Sequence, residues 1–123
     1  MIYKKPEDHI LHDCDYAREM RQILNASEYD KMGLAVGVDL SPMATHFHKT
    51  FDEIFYVLEG GMNCKFYDPE SGKTWAEELS AGDVLVVPKG IHHKVLEASS
   101  KNKLMVMSIP PWHADDVTPS DAI

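Results

Sequence analysis

The chain lacks any apolar run near the ~20 residues needed to cross a bilayer, and it has only two cysteines, Cys14 and Cys64. It is also short of positive charge: 12 Lys and Arg stand against 20 Asp and Glu, a formal net charge of −8. A basic face able to neutralise nucleic-acid phosphates is therefore not expected, nor is electrostatic attachment to an anionic membrane. No apolar stretch follows Lys4 and Lys5, so a secretory signal is not expected. With two distant cysteines and no export signal, the expected setting is the reducing cytoplasm. The sequon Asn25-Ala26-Ser27 then reads as a chance match. What remains is ordinary for a folded domain: 123 residues, 44% hydrophobic and 26% charged, enough for one core and little more.

The chain divides into three parts, with no internal repeat. Residues 1–32 are polar, and Tyr16, Met20, Ile23 and Leu24 fall near helical spacing, so an N-terminal arm or short helix is expected there. Residues 33–110 read as a run of short strands: Gly33–Asp39, Thr45–Lys49, Glu53–Leu58, Met62–Tyr67, Trp75–Leu79, Val84–Val87, His92–Glu97 and Lys103–Ile109. Turn signals separate them, among them Ser41-Pro42, Glu59-Gly60-Gly61, Asp68-Pro69 and Ala81-Gly82-Asp83. Many short strands at near-even spacing predict an all-β sandwich or barrel. Pro110-Pro111 ends the sheet, and residues 111–123 form a polar tail.

Two histidine groups stand out among seven histidines. His46 and His48 are two apart, so on a strand they share a face. Glu53 follows across a short connection, where an antiparallel return can bring its carboxylate beside the imidazoles. Two neutral imidazoles and a carboxylate facing one cavity make a divalent-metal site. The second group is His92-His93. Adjacent strand residues face opposite ways, so one of the two can join the first group, and local reasoning leaves both in play.

The spacing of these residues resembles that of the cupins. In their first motif His-x-His is followed after three or four residues by Glu and after six more by Gly, as His46, His48, Glu53 and Gly60 are here. In their second, Gly is followed after five residues by Pro, then by Gly and by His, as in Gly82, Pro88, Gly90 and His93. Two departures concern turns and strand edges rather than ligands: Leu40 stands where the first motif usually opens with Gly, and Glu97 where the second often ends with Asn. The resemblance implies a double-stranded β-helix, or jelly-roll barrel, with His93 rather than His92 as fourth ligand beside His46, His48 and Glu53. It implies one divalent transition metal (Fe, Mn, Ni, Zn, Co or Cu) and glycines 60, 82 and 90 in tight turns needing positive φ. It also implies a homodimer, for which the N-terminal arm is the expected shared edge.

The function expected from this is a metal-dependent enzyme acting on a small oxygen-rich metabolite, by oxygenase, isomerase or lyase chemistry; the alternative is a non-catalytic module binding metal or a small ligand. Phe55 shares the inward face with Glu53 and cannot carry a proton, where some cupin lyases have a tyrosine base. Tyr56 should point outward by parity. Met62, Cys64 and Phe66 should line the interior, and Cys64 reads as a small buried hydrophobe. His92 is expected to face out. His9 and His12 are expected at the surface, and His113 in a tail able to fold over a barrel mouth or a partner.

Overall fold

The computed structural model describes all residues 1–123. Its strands are β1 (Ile10–His12), β2 (Ala17–Leu24), β3 (Gly33–Leu40), β4 (His46–Phe47), β5 (Asp52–Glu59), β6 (Gly61–Asp68), β7 (Lys73–Ser80), β8 (Val84–Val87), β9 (His92–Ala98), β10 (Lys103–Ile109) and β11 (Thr118–Pro119). They form two antiparallel sheets. One has the order β1-β2-β3-β10-β5-β8 and the other β11-β4-β9-β6-β7. The eight expected strands all appear, with ends shifted by a residue or two, and the all-β jelly-roll expectation holds.

Between the sheets lies a core of alternating apolar residues. Phe55 and Val57 from β5, Met62, Cys64 and Phe66 from β6, Leu79 from β7, Val87 from β8, Val95 from β9 and Leu104 from β10 are all buried in one cluster with Leu40. Each comes from a period-two pattern, and the two inner faces interdigitate. Truncating one of these side chains to alanine, Phe66 for instance, would cost about 3–5 kcal/mol. Tyr56 points outward, as parity requires, and is 37% exposed.

Of the two expectations for the first segment, arm or short helix, the structure takes the extended arm. Residues 17–24 form a strand on the edge of β3, registered as Met20 opposite Gly37 and Gln22 opposite Ala35. Local preference favours a helix in AREMRQIL, but β3 offers an unpaired edge, and its backbone hydrogen bonds decide the conformation. The true period is two. Met20, Gln22 and Leu24 face the interior, while Glu19 and Arg21 form an ion pair with each other. The arm therefore exists, but as two edge strands of its own chain's sheet. The only helical piece before β2 is a 3-10 turn at Pro6–Asp8. The tail also adds a short strand, β11, beside β4.

Candidate metal centre

His46 and His93 come from the smaller sheet, His48 from the turn that follows β4, and the carboxylate from the larger sheet. His46 lies on β4 directly opposite His93 on β9, and His93 is also opposite Phe66 on β6. His48 follows β4 in the turn toward β5, where the Gly90 N–H donates to its carbonyl oxygen at 2.7 Å. Gly90 has φ 87°, a value that favours glycine, so the second glycine motif holds the backbone of the first. Gly60 and Gly82 likewise have positive φ, as expected. Glu53 stands near the start of β5, opposite Val87 and Ser108, and reaches the histidines across the sandwich.

The ring nitrogens of His46, His48 and His93 include a set of three that lie within 4.8 Å of one another. Glu53 Oε1 is 3.0 Å from His48 Nε2 and 3.2 Å from His93 Nε2. All four residues are buried or half-buried. The other ring nitrogen of each histidine is held by a backbone carbonyl: His48 Nδ1 donates to Asp116 at 2.6 Å, His93 Nδ1 to Ile91 at 3.0 Å and His46 Nδ1 to Ala44 at 3.2 Å. A carbonyl only accepts, so each Nδ1 carries the hydrogen and each Nε2 of the neutral ring is a bare lone pair. The lone pairs of His48 and His93 face a carboxylate oxygen. Hydrogen-bond geometry is not met at either His48 Nε2 or Glu53 Oε1, and both atoms are buried without a partner. Such an arrangement is costly unless a metal cation or a proton sits among the acceptors. The residues therefore fit a divalent metal, and carbonyl groups behind metal-bound imidazoles are the usual means of fixing their tautomer.

Burial sets the protonation states, and the facing groups then modify them. His46 is pushed down to about 4 by burial, with His93 adding to the effect. Burial would lift Glu53, but when the facing imidazoles of His48 and His93 carry a proton their hydrogen bonds and charge outweigh it and hold the carboxyl at about 2. Burial also opposes charge on His48, yet Glu53 and Asp116 together raise its pKa.

Asp116 is a supporting residue that sequence reasoning missed. It lies in a 3-10 turn of the tail and is buried. Its carboxylate accepts the N–H groups of Lys49 and Thr50 at 2.7 and 2.8 Å and the Thr50 hydroxyl, while its carbonyl orients His48. Phe51, 1% exposed, stacks on the His48 ring at 4.3 Å. No motif marks Asp116; it is 68 residues from the ring it orients.

His92 does not join the cluster. Its ring stacks on Phe47 at 4.2 Å and hydrogen-bonds with the Ser120 hydroxyl at 2.6 Å. It is half-buried under the tail rather than free at the surface. His113 lies against Thr50 and Phe51. His12 is exposed as expected, whereas His9 is half-buried beside Arg21.

The cluster opens into a cavity of about 670 Å³, lined by β2, β3, β10 and the tail and walled mainly by apolar side chains. Phe55 is buried with its ring 6.0 Å from that of His93, and it brings no titratable group. Cys64 is free and buried, its thiol pushed up to about 11 by burial, so it is an inert wall residue. Tyr16 also lines the cavity. Burial raises its pKa, with contributions from the Cys14 thiol and from Glu53. Its phenol keeps its proton at neutral pH and is suited to donate a hydrogen bond.

The family model described as Cupin matches residues 32–112, so the chain belongs to the cupin family. Among its relatives, a germin-like protein from Morus alba is 30% identical over 73 residues, which is 57% of this chain and 34% of the relative. Oxalate decarboxylase of Bacillus subtilis superposes with a TM-score of 0.79 at 14% identity, covering 95% of this chain and 31% of that one. A variant of the same enzyme gives 0.80, with 96% and 32% covered. The chain thus spans about a third of the length of these proteins, and the structural likeness speaks for the fold.

Proposed function

We propose that this chain is a metal-dependent cupin in which His46, His48, His93 and Glu53 hold one divalent transition metal, with a small molecule binding beside it through oxygen atoms. The observation that carries the reading is the convergence of bare imidazole nitrogens on a buried carboxylate oxygen that has no other partner. The Mn(II) centres described for the oxalate decarboxylase of similar fold are consistent with it. The donor set of imidazoles and a carboxylate suits Fe, Mn, Ni, Zn, Co or Cu, and selection among them follows geometry and supply. When bound, the metal supplies Lewis acidity and a template for oxygen donors.

The chain's own residues do the remainder. The carbonyls of Ala44, Ile91 and Asp116 hold the imidazoles in the ligating tautomer. The apolar walls exclude water, and Tyr16 offers a hydrogen bond to a bound molecule. Glu53 is engaged at the metal and Phe55 carries no proton, so among these lining residues Tyr16 is the one suited to donate a proton to a bound molecule. This reading leaves oxygenase, isomerase and lyase chemistries in competition. A non-catalytic binding module is favoured by the inert lining of Phe55 and Cys64. A homodimer belongs to the same proposal; it is supported by the edge strand β1, where Ile10 and Leu11 are exposed. A reducing compartment is in keeping with the two free thiols, and no helix is long and apolar enough to cross a membrane.

The test is metal analysis of protein made in defined medium, followed by a substrate screen under air and under nitrogen. About one metal per chain with turnover only in air would establish an oxygenase. Turnover in both would establish isomerase or lyase chemistry, and binding without turnover the module. Absence of metal would overturn the proposal.

A further inference from the structure

The walls of the cavity define its ligand more narrowly than the metal does. The volume of about 670 Å³ lies within the ~300–1,000 Å³ range of pockets that enclose drug-sized molecules. At roughly 30 Å³ per water, a two-carbon acid would leave most of it to solvent. That solvent would lie against Met20, Leu24, Met43, Phe66, Val106 and Trp112, which all line the space and offer water no hydrogen bonds. Ala35 sits at the middle of β3 between the buried glycines 33 and 37, and by parity it faces the same interior. A small side chain at this central position sets the wall back. The space is thus continuous from the histidine cluster to β2.

The charge balance points the same way. Lys94 is the one Lys or Arg side chain that lines the cavity, and it is set against Asp13, Asp15 and Glu53. No guanidinium is present to clamp a second carboxylate. A dianion would find little positive charge beyond the metal itself. From volume, apolar lining and charge together, we infer that the site takes a neutral or singly charged organic molecule with one oxygen-donor head at the metal and an extended apolar body along β2 and β3. This inference rests on the metal reading above and specifies the substrate class for it. It replaces a compact oxygen-rich metabolite with an amphipathic one.

The test uses Co(II)-loaded full-length protein, with metal content checked before and after each titration. Alkyl hydroxamates from acetohydroxamate to octanohydroxamate keep one head group and lengthen only the body; binding is read from the visible cobalt spectrum. Burial of a methylene at ~0.8 kcal/mol predicts affinity rising about fourfold per added carbon, so the longest ligand should bind at least about a hundredfold tighter than the shortest. The variant Ala35→Phe should fill the wall and cut octanohydroxamate affinity at least tenfold, with acetohydroxamate and cobalt binding unchanged. Should that variant misfold, the chain-length series on the unaltered protein decides alone. Flat affinity along the series in cobalt-loaded protein would overturn this inference and leave the metal site standing. Failure to hold cobalt would overturn both. Equal octanohydroxamate binding with and without cobalt would also overturn it, because the head would then not be at the metal.

Discussion

The two ends of the central cavity are built on opposite plans. At the histidine end each imidazole Nδ1 is held by a backbone carbonyl, Asp116 and Phe51 fix the His48 ring, and His48 Nε2 is left buried without a partner. At the β2–β3 end the lining is largely apolar, with small residues on β3 and polar side chains such as Asp13, Asp15, Tyr16, Gln22 and Asn25 along its margin. The first plan specifies geometry through hydrogen bonds, and the second specifies volume. A change at one end should therefore act on metal affinity and a change at the other on the bound molecule.

The largest expected effect breaks this separation if it is wrong. His93→Ala should lower metal affinity by at least about a hundredfold, since loss of a supporting contact alone costs about 10–100-fold. Ala35→Phe should leave metal affinity within about threefold. Isothermal titration with Zn(II) compares the two directly. Next in size is Asp116→Ala. It strands the N–H groups of Lys49 and Thr50 and loosens the turn that carries His48, so metal affinity should fall about 10–100-fold. Asp116→Asn, which can still accept one of those hydrogens, should recover part of the loss.

The difference between the ends also explains what could be read in advance. His46, His48, Glu53 and His93 lie in two short segments, and local strand parity with two glycine-spaced motifs was enough to group them. Parity alone could not separate His92 from His93; the resemblance chose His93, and the structure brings His93 to the other three and turns His92 toward Ser120. The β2–β3 wall was not legible. Residues 17–24 have helical local preference, and only pairing with β3 imposes a strand on them. Asp116 was invisible for the same reason, as its role is created by contacts 66–68 residues distant. Long-range pairing leaves no local pattern in a single sequence.

A pH prediction sharpens the picture of the histidine end. In metal-free protein, His46 is held at about 4, against an ordinary 6.5, and Glu53 at about 2, against 4.5. In both cases the unfolded chain binds more protons, so stability should fall as pH drops from about 6.5 toward 2. His48 has the opposite sign. Its raised pKa gives stability that is full below 6.5 and lost as pH climbs through the folded value. Metal-free protein should therefore be most stable near pH 6.5. Saturating metal should raise the alkaline limb by replacing the His48 proton, while acid should release metal as protons compete for the imidazoles. Urea melts across pH, with and without Mn(II), read both limbs. An alkaline limb that metal leaves unchanged would contradict the assignment of His48.

The smallest expected effect is at His92→Ala. This change removes a stack on Phe47 and a hydrogen bond to Ser120 but no ligand. Metal affinity should stay within about threefold, and thermal melting should report at most a modest loss from the loosened tail.

In the proposed centre, three imidazoles and one carboxylate surround a single cation. X-ray absorption on Zn(II)-loaded protein tests it most directly, because multiple scattering from imidazole rings counts the histidines bound. The expected result is a shell of nitrogen and oxygen at about 2.0–2.2 Å with the scattering of three imidazoles, falling to two in His93→Ala. A shell without imidazole scattering, or one that His93→Ala leaves unchanged, would contradict it.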